Sequence, residues 1–232
     1  MGGVNVEISV YGDSILKGVM LEDRRYVVNR EWEQRFAETF GCRISNRSRF
    51  GCTIDKAMAV IRRDADLSPA AGDLAVLEFG GNDCDYDWSA IAADPAGDHE
   101  PKTPPEQFLV RYRQAIELLR GSGRQPVVLT LPPIHSERYL RFICRNGLSQ
   151  ENILRWMGNV ERISLWQESY SALAEQAARE TGTPLVDLRA VFPRESAALE
   201  PLLCSDGIHP SRPGQRLIYE KLSRRAAEVL RA

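Results

Sequence analysis

Short apolar runs alternate along this chain with longer stretches of helical periodicity. Runs at residues 4–11, 42–46, 74–79, 126–131 and 184–188 are rich in Val, Ile, Leu or Phe and too short for buried helices, so they predict strands. Between and after them, apolar side chains recur at helical spacing. Trp32, Phe36 and Phe40 stand at i, i+4 and i+8, and Leu217, Ile218, Leu222, Ala226, Val229 and Leu230 stripe the C-terminal segment. Ser211 and Pro213 stand where a cap and a first-turn proline would start that last helix. The alternation predicts an α/β fold around a parallel sheet, each helix laying its stripe on a sheet face.

Two segments, 84–105 and 134–165, are longer than ordinary connections, and long connections in small domains are commonly functional. They are expected to wall or lid a pocket. The first holds Asp94-Pro95-Ala96-Gly97 and the prolines Pro101, Pro104 and Pro105, which predicts a largely irregular path; the second carries helical patterns. A length of 232 residues suits one domain spanning 1–232.

Charge and composition then remove whole classes of function. A formal net charge of −2, with arginine pairs scattered, offers no footprint for nucleic acid. No run approaches the ~20 apolar residues of a membrane span, and the first residues lack a basic stretch followed by an apolar one, so a cytoplasmic location is expected. Five dispersed cysteines without a Cys-x-x-Cys pair suit reduced thiols, neither a disulfide frame nor a zinc site.

Parallel sheets gather ligands at the carboxyl ends of their strands. Ser14 follows the first predicted strand, Gly51 the second, Asn82 the third, and His209 comes after the fifth. A serine hydroxyl becomes a nucleophile when a histidine takes its proton and a carboxylate orients that histidine. Ser14, in Gly12-Asp13-Ser14, together with Asp206 and His209, in Asp206-Gly207-Ile208-His209-Pro210, supplies all three groups, two of them on one short loop. Each half also has a plainer reading. Asp13 and Ser14 could cap a helix after the strand, a position that would equally offer free N–H groups and a dipole to an oxyanion. Asp206-Gly207 could be a turn, and so could Gly80-Gly81-Asn82-Asp83, whose Asn82 amide alternatively stands as an oxyanion donor with the Gly51 N–H beside it.

These residues resemble the SGNH hydrolases, or GDSL esterase/lipase family, named for a serine, glycine, asparagine and histidine in four separate blocks. Ser14, Gly51, Asn82 and His209 fill the blocks in order, with Ile15 where the name-giving leucine stands and with Asn46, Ser48 and Thr53 completing the second block. The resemblance implies a three-layer α/β/α sandwich with a central five-stranded parallel sheet, flavodoxin-like in outline. It implies a Ser14, His209, Asp206 triad and an oxyanion hole from the Ser14 and Gly51 N–H groups and the Asn82 side chain. Asp13 and Asn46 are then supports behind these groups, and no metal or organic cofactor is needed.

The expected activity is hydrolysis of small or medium acyl esters, including O-acyl carbohydrates, through an acyl-enzyme on Ser14. An acyltransferase or thioesterase would use the same groups, and a binding protein that kept the fold is the non-enzymatic alternative. The acidic run from Asp83 to Asp87 spaces its carboxylates like the start of a calcium loop, but Trp88 stands where such a loop needs glycine. It is expected to line or rim the pocket, which makes Asp83 a candidate substrate contact. Trp88 and Tyr139 are candidate platforms for a sugar ring or acyl chain, with core packing as the plainer reading. Trp156 and Trp166 fit a helical lid or a homodimer face.

Overall fold

The computed structural model describes residues 6–67 and 73–231. Val4 and Asn5 of the first predicted strand therefore lie outside the described residues. The chain runs β1 (Glu7–Gly12), β2 (Val19–Glu22), β3 (Arg25–Val28), α1 (Glu31–Phe40), β4 (Arg43–Asn46), α2 (Ile54–Ala65), β5 (Leu74–Glu78) and α3 (Trp88–Ala93). It continues with α4 (Pro105–Gly121), β6 (Gln125–Leu129), α5 (Ser136–Cys144), α6 (Gln150–Met157), α7 (Arg162–Glu180), β7 (Leu185–Val186), α8 (Ser196–Leu199) and α9 (Arg212–Arg231).

β4, β1, β5, β6 and β7 pair in that order, all parallel, into the expected central five-stranded sheet. Its inner strands β5 and β6 are apolar on both faces, as a sheet covered on both sides requires. Ala75 and Leu77 of β5 pack under Ile54, Ile61, Phe108, Tyr112 and Ile116 of α2 and α4, while Val76 between them joins Leu129, Val186, Phe192 and Ile218 on the opposite face. Helices thus cover both sides, and the three-layer α/β/α sandwich stands.

The stripe of α1 departs from expectation. None of its residues is buried, and Trp32 packs its ring on Tyr219 of α9 with centroids 5.2 Å apart. At the edge of the sheet a short helix meets its neighbouring helix more readily than a sheet face. The C-terminal stripe does face inward through Leu217, Ile218 and Leu222, and the Ser211 hydroxyl caps α9 by accepting from the Gly214 N–H at 3.5 Å.

The two long segments pack on each other. Ile91 of α3, Leu140 and Ile143 of α5, Ile153 and Met157 of α6, and Ile163 of α7 form a separate apolar cluster. The first segment is less irregular than its prolines predict, because the Asp87 carboxylate accepts from the Ser89 and Ala90 N–H groups and starts α3.

An antiparallel hairpin, β2 paired with β3, has no counterpart in the sequence reading. Its two-residue turn puts Asp23 at φ 47° and Arg24 at φ 61°. Such turns ordinarily announce themselves by Asn-Gly or Asp-Gly; here two non-glycine residues hold the left-handed region, at a cost of order 1 kcal/mol each. Tertiary ties hold the hairpin closed. Val19 and Met20 are buried, the Leu21 N–H donates to Cys204 Sγ at 3.4 Å, and Glu22 pairs with Arg212 at 3.2 Å.

Candidate active site

β1 ends at Gly12 in register with Glu78 of β5, so the chain leaves the sheet beside the end of its central strand. A Cβ on Gly12 would lie 3.1 Å from the Glu78 carbonyl oxygen. The helix expected after Ser14 is not formed. Residues 13–18 make turns closed by Lys17 N–H to the Asp13 carbonyl and Val19 N–H to the Ser14 carbonyl, and lead into the hairpin. Ser14 therefore has individual N–H groups near it and no helix dipole behind it.

The loop after α8 brings its two residues to Ser14 across nearly the whole length of the chain. His209 Nε2 lies 2.8 Å from Ser14 Oγ, and His209 Nδ1 lies 2.6 Å from Asp206 Oδ2. Asp206 Oδ1 accepts from the Ile208 and His209 N–H groups at 3.0 and 3.1 Å, which locks the carboxylate to the backbone of the loop it orients. Burial alone would raise the Asp206 carboxyl, but the bond and charge of His209 and these two N–H groups hold it below the ordinary value. Gly207 takes φ 74°, and a Cβ there would stand 2.8 Å from Arg138 Cβ, the His135 carbonyl oxygen and the Tyr139 nitrogen. The loop is thereby pressed against the start of α5, where the His135 N–H donates to the Gly207 carbonyl at 2.8 Å. Ser14 and His209 are 6% and 3% exposed.

Beside this chain stand the three donors named from the sequence. No described residue takes up the backbone N–H of Ser14 or of Gly51. Gly51 holds φ 67° in the loop between β4 and α2. Asn82 donates one amide hydrogen from Nδ2 to Asp13 Oδ2 at 2.8 Å, which leaves the second for an oxygen in the pocket. Gly81 makes this approach possible, since a Cβ on it would sit 3.2 Å from Asp13 Oδ2.

Asp13 and Asn46 lie behind these groups. Asp13 Oδ1 accepts from the Ile15 N–H at 2.8 Å. Asn46 donates to the Leu16 carbonyl at 2.9 Å and to Glu33, and accepts from the Ser48 N–H at 2.9 Å, so it ties the loops after β1 and β4 together and to α1.

Glu78 was not anticipated, although an acid closing an apolar strand is a visible signal. It is 0% exposed, and its carboxyl lies against Asp13. Burial, the charge of Asp13 and the nearness of its side chain raise Glu78 well above the ordinary carboxylate range. Burial raises Asp13 too, against the Ile15 N–H, the charge of His209 and the Asn82 bond.

The acidic run divides its roles. Asp83, expected at the pocket, is sealed behind it. Its Oδ1 accepts from the Ile54 N–H at 3.0 Å and from the Thr103 hydroxyl at 2.7 Å, and burial pushes its carboxyl up to about 7. Asp85 is taken by Trp88 Nε1 at 2.8 Å, the Tyr139 hydroxyl at 2.7 Å and Lys102 at 2.6 Å. This run therefore aims no unpaired carboxylate at a substrate.

Trp88 and Tyr139, joined through Asp85, line a pocket of about 500 Å³ that opens on Ser14, a volume ordinary for a small-molecule site. Trp156 and Trp166, expected on a lid or dimer face, line the same pocket and pack their rings on Tyr86 at 4.9 and 5.8 Å. Tyr26 of the unanticipated hairpin and Phe50 beside Gly51 line the pocket as well. Tyr26 could not be placed here from sequence because nothing local announces its hairpin.

Comparison with known proteins bears on the family and the fold. The sequence profile of the GDSL-like lipase/acylhydrolase family matches residues 10–217. The chain belongs to this family. No curated protein matches it by sequence. Among solved structures it is similar to a GDSL-like lipase from Bacteroides thetaiotaomicron, at 19% identity and TM-score 0.62 over 97% of this chain and 89% of that one. It is similar also to an acetylxylan esterase from Geobacillus stearothermophilus, at 17% identity and TM-score 0.64 over 96% and 94% of the two chains. A lipase/acylhydrolase from Enterococcus faecalis has 17% identity and TM-score 0.59 over 95% and 94%. At such identities the likeness is one of fold. As a GDSL-like acylhydrolase this chain has a small-molecule substrate, and among the described residues no helix is long and apolar enough to cross a membrane.

Proposed function

We propose that this chain is a carboxylic ester hydrolase that passes small or medium acyl groups through Ser14 to water, in the cytoplasm. The observation that carries the reading is the continuous relay from Asp206 through His209 to Ser14 Oγ, with bonds of 2.6 and 2.8 Å, at the mouth of an aromatic pocket.

The relay dictates the order of proton movement. His209 Nε2 takes the Ser14 hydroxyl proton as Oγ attacks the ester carbonyl carbon, and the imidazolium that forms is stabilised by Asp206 through Nδ1. The carbonyl oxygen becomes an alkoxide facing the Ser14 N–H, the Gly51 N–H and the second amide hydrogen of Asn82. His209 then gives its proton to the leaving alkoxide, the C–O bond breaks, and the alcohol departs from an acyl-enzyme. Water repeats the cycle: His209 accepts its proton as it attacks, then returns a proton to Ser14 Oγ as the carboxylic acid leaves. These steps use only side chains and water. Glu78 keeps Asp13 in place from below, and Asp13 fixes the Asn82 amide, so the donor geometry exists before the substrate arrives.

The test is an ester panel from acetyl to octanoyl on the wild type and Ser14→Ala, with intact-mass analysis after a fluorophosphonate. The expected result is turnover of at least one acyl class and a single adduct, both abolished by Ser14→Ala. An unlabelled Ser14 in folded protein refutes the reading. Adding a sugar or thiol acceptor separates hydrolysis from acyl transfer, because transfer would appear as a new ester at the expense of free acid.

A further inference from the structure

Two rings meet on the solvent side of His209. Phe50 lies nearly parallel to the imidazole, with centroids 5.9 Å apart and planes 15° apart. Tyr26 meets the imidazole edge-on at 5.3 Å and Phe50 at 4.9 Å. Both remain open to water, Tyr26 43% and Phe50 54% exposed, in a protein whose other pocket aromatics are at least half-buried. The chain bears left-handed strain at Asp23 and Arg24 to close the hairpin that carries Tyr26. Leu21 and Glu22 of that hairpin are tied to Cys204 and Arg212, on either side of the loop that holds Asp206 and His209.

Chemistry assigns a direction to this ledge. The proton for the leaving alcohol comes from His209 Nε2, so the alcohol half of an ester passes over the imidazole and against the rings that flank it. The acyl half then has the aromatic pocket under α3, α5 and α6. The two sides differ in a telling way. The acyl side is a walled pocket suited to shedding water from an apolar chain, whereas the alcohol side is a wet ledge of two ring faces. A ligand that suits the ledge has one flat C–H face to lay on the rings and hydroxyls that stay hydrated, which describes a pyranose. An alkyl or aryl alcohol of that size would gain more from a closed slot.

We propose that Tyr26 and Phe50 form the alcohol subsite and that the alcohol it takes is a sugar ring, so the substrate class is O-acylated carbohydrate. This deepens the ester-hydrolysis reading and rests on it.

The test uses methyl, phenyl and methyl-pyranoside esters of one acyl group, with the wild type, Tyr26→Ala, Phe50→Ala and the double variant. The wild type is expected to prefer the pyranoside ester to the methyl ester in kcat/KM. That preference is expected to fall roughly tenfold in the double variant, mostly through KM. A role confined to holding the imidazole would lower kcat/KM for all three esters by the same factor, because His209 acts identically on each; that result overturns the proposal. So does a larger loss on the phenyl ester than on the pyranoside. If the wild type cleaves none of the esters and Ser14 resists the fluorophosphonate, ester hydrolysis itself fails and the subsite goes with it. If Ser14 is labelled and the methyl ester is cleaved without preference for the pyranoside, the subsite alone fails.

Discussion

Replacing Asn82 with alanine isolates the side-chain donor of the proposed oxyanion site. The Asn82 amide has two hydrogens, one committed to Asp13 Oδ2 at 2.8 Å and one left for the substrate oxygen. Losing a preorganised donor of this kind typically costs about 2.7–4 kcal/mol in the transition state, so kcat is expected to fall about 10²–10³-fold. KM should move little, because the alkoxide exists only in the transition state. Stability bears a separate loss: Asp13, already buried, is left short of one donor, at about 1–3 kcal/mol. Denaturant melts measure that part and initial rates measure the other. Asp13→Asn keeps one acceptor oxygen for two bonds that use both carboxylate oxygens and sets an NH2 against the other donor, so it too should lower kcat by loosening the Asn82 amide or the Ile15 N–H. Combined with Asn82→Ala it should add almost nothing to the rate loss, since Asp13 acts through the amide that has been removed. The reasoning is refuted if folded Asn82→Ala retains kcat within about threefold of the wild type, or if the two substitutions multiply.

Gly207→Ala is expected to lose activity far out of proportion to its fall in Tm, because relief of contacts at 2.8 Å with backbone atoms of α5 must shift a loop that holds Asp206 and His209; the measures are kcat and thermal melting. Asp83 titrates near 7 in the fold, above the ordinary carboxylate value. The fold thus binds its proton more tightly than the unfolded chain, and this stabilising contribution is full below about pH 4 and is lost as pH rises toward about 7. Asp83→Asn, which keeps an acceptor for Ile54 and Thr103, should therefore flatten the decline of Tm between those limits; an unchanged slope refutes it. Glu78 has the same sign. Glu78→Gln, which is neutral and can donate to Asp13, should hold activity near wild type at neutral pH and extend it to higher pH, whereas Glu78→Ala should lower kcat; equal behaviour of the two variants in a pH–rate profile would remove Glu78 from the support of Asp13.

The parallel sheet and the ends of its strands were legible because strand and helix periodicities are local properties. Ser14, Gly51, Asn82 and His209 were legible because each sits in a short block whose glycines and turn residues admit few other conformations. Asp206 was legible with them, since its carboxylate binds the N–H groups of residues two and three positions on. Asp83 misled for the opposite reason. Its neighbours in sequence face the pocket, but its own partners, Ile54 and Thr103, come from 29 and 20 residues away. The turn after Ser14 misled as well, because its signals fit a helix cap and only the hairpin that follows requires otherwise.

By itself the sequence determined the layers, the strand ends and the short blocks that carry Ser14, Asp206 and His209. Tertiary structure alone decided that Glu78 meets Asp13 and is raised well above the ordinary carboxylate range, since a carboxyl titrates according to the burial and charges that other strands bring to it. It decided that Trp156 and Trp166 face a pocket, since two long segments had first to pack on each other. It also decided that Tyr26 reaches His209, because a turn without glycine closes only when buried contacts and an ion pair offset its strain.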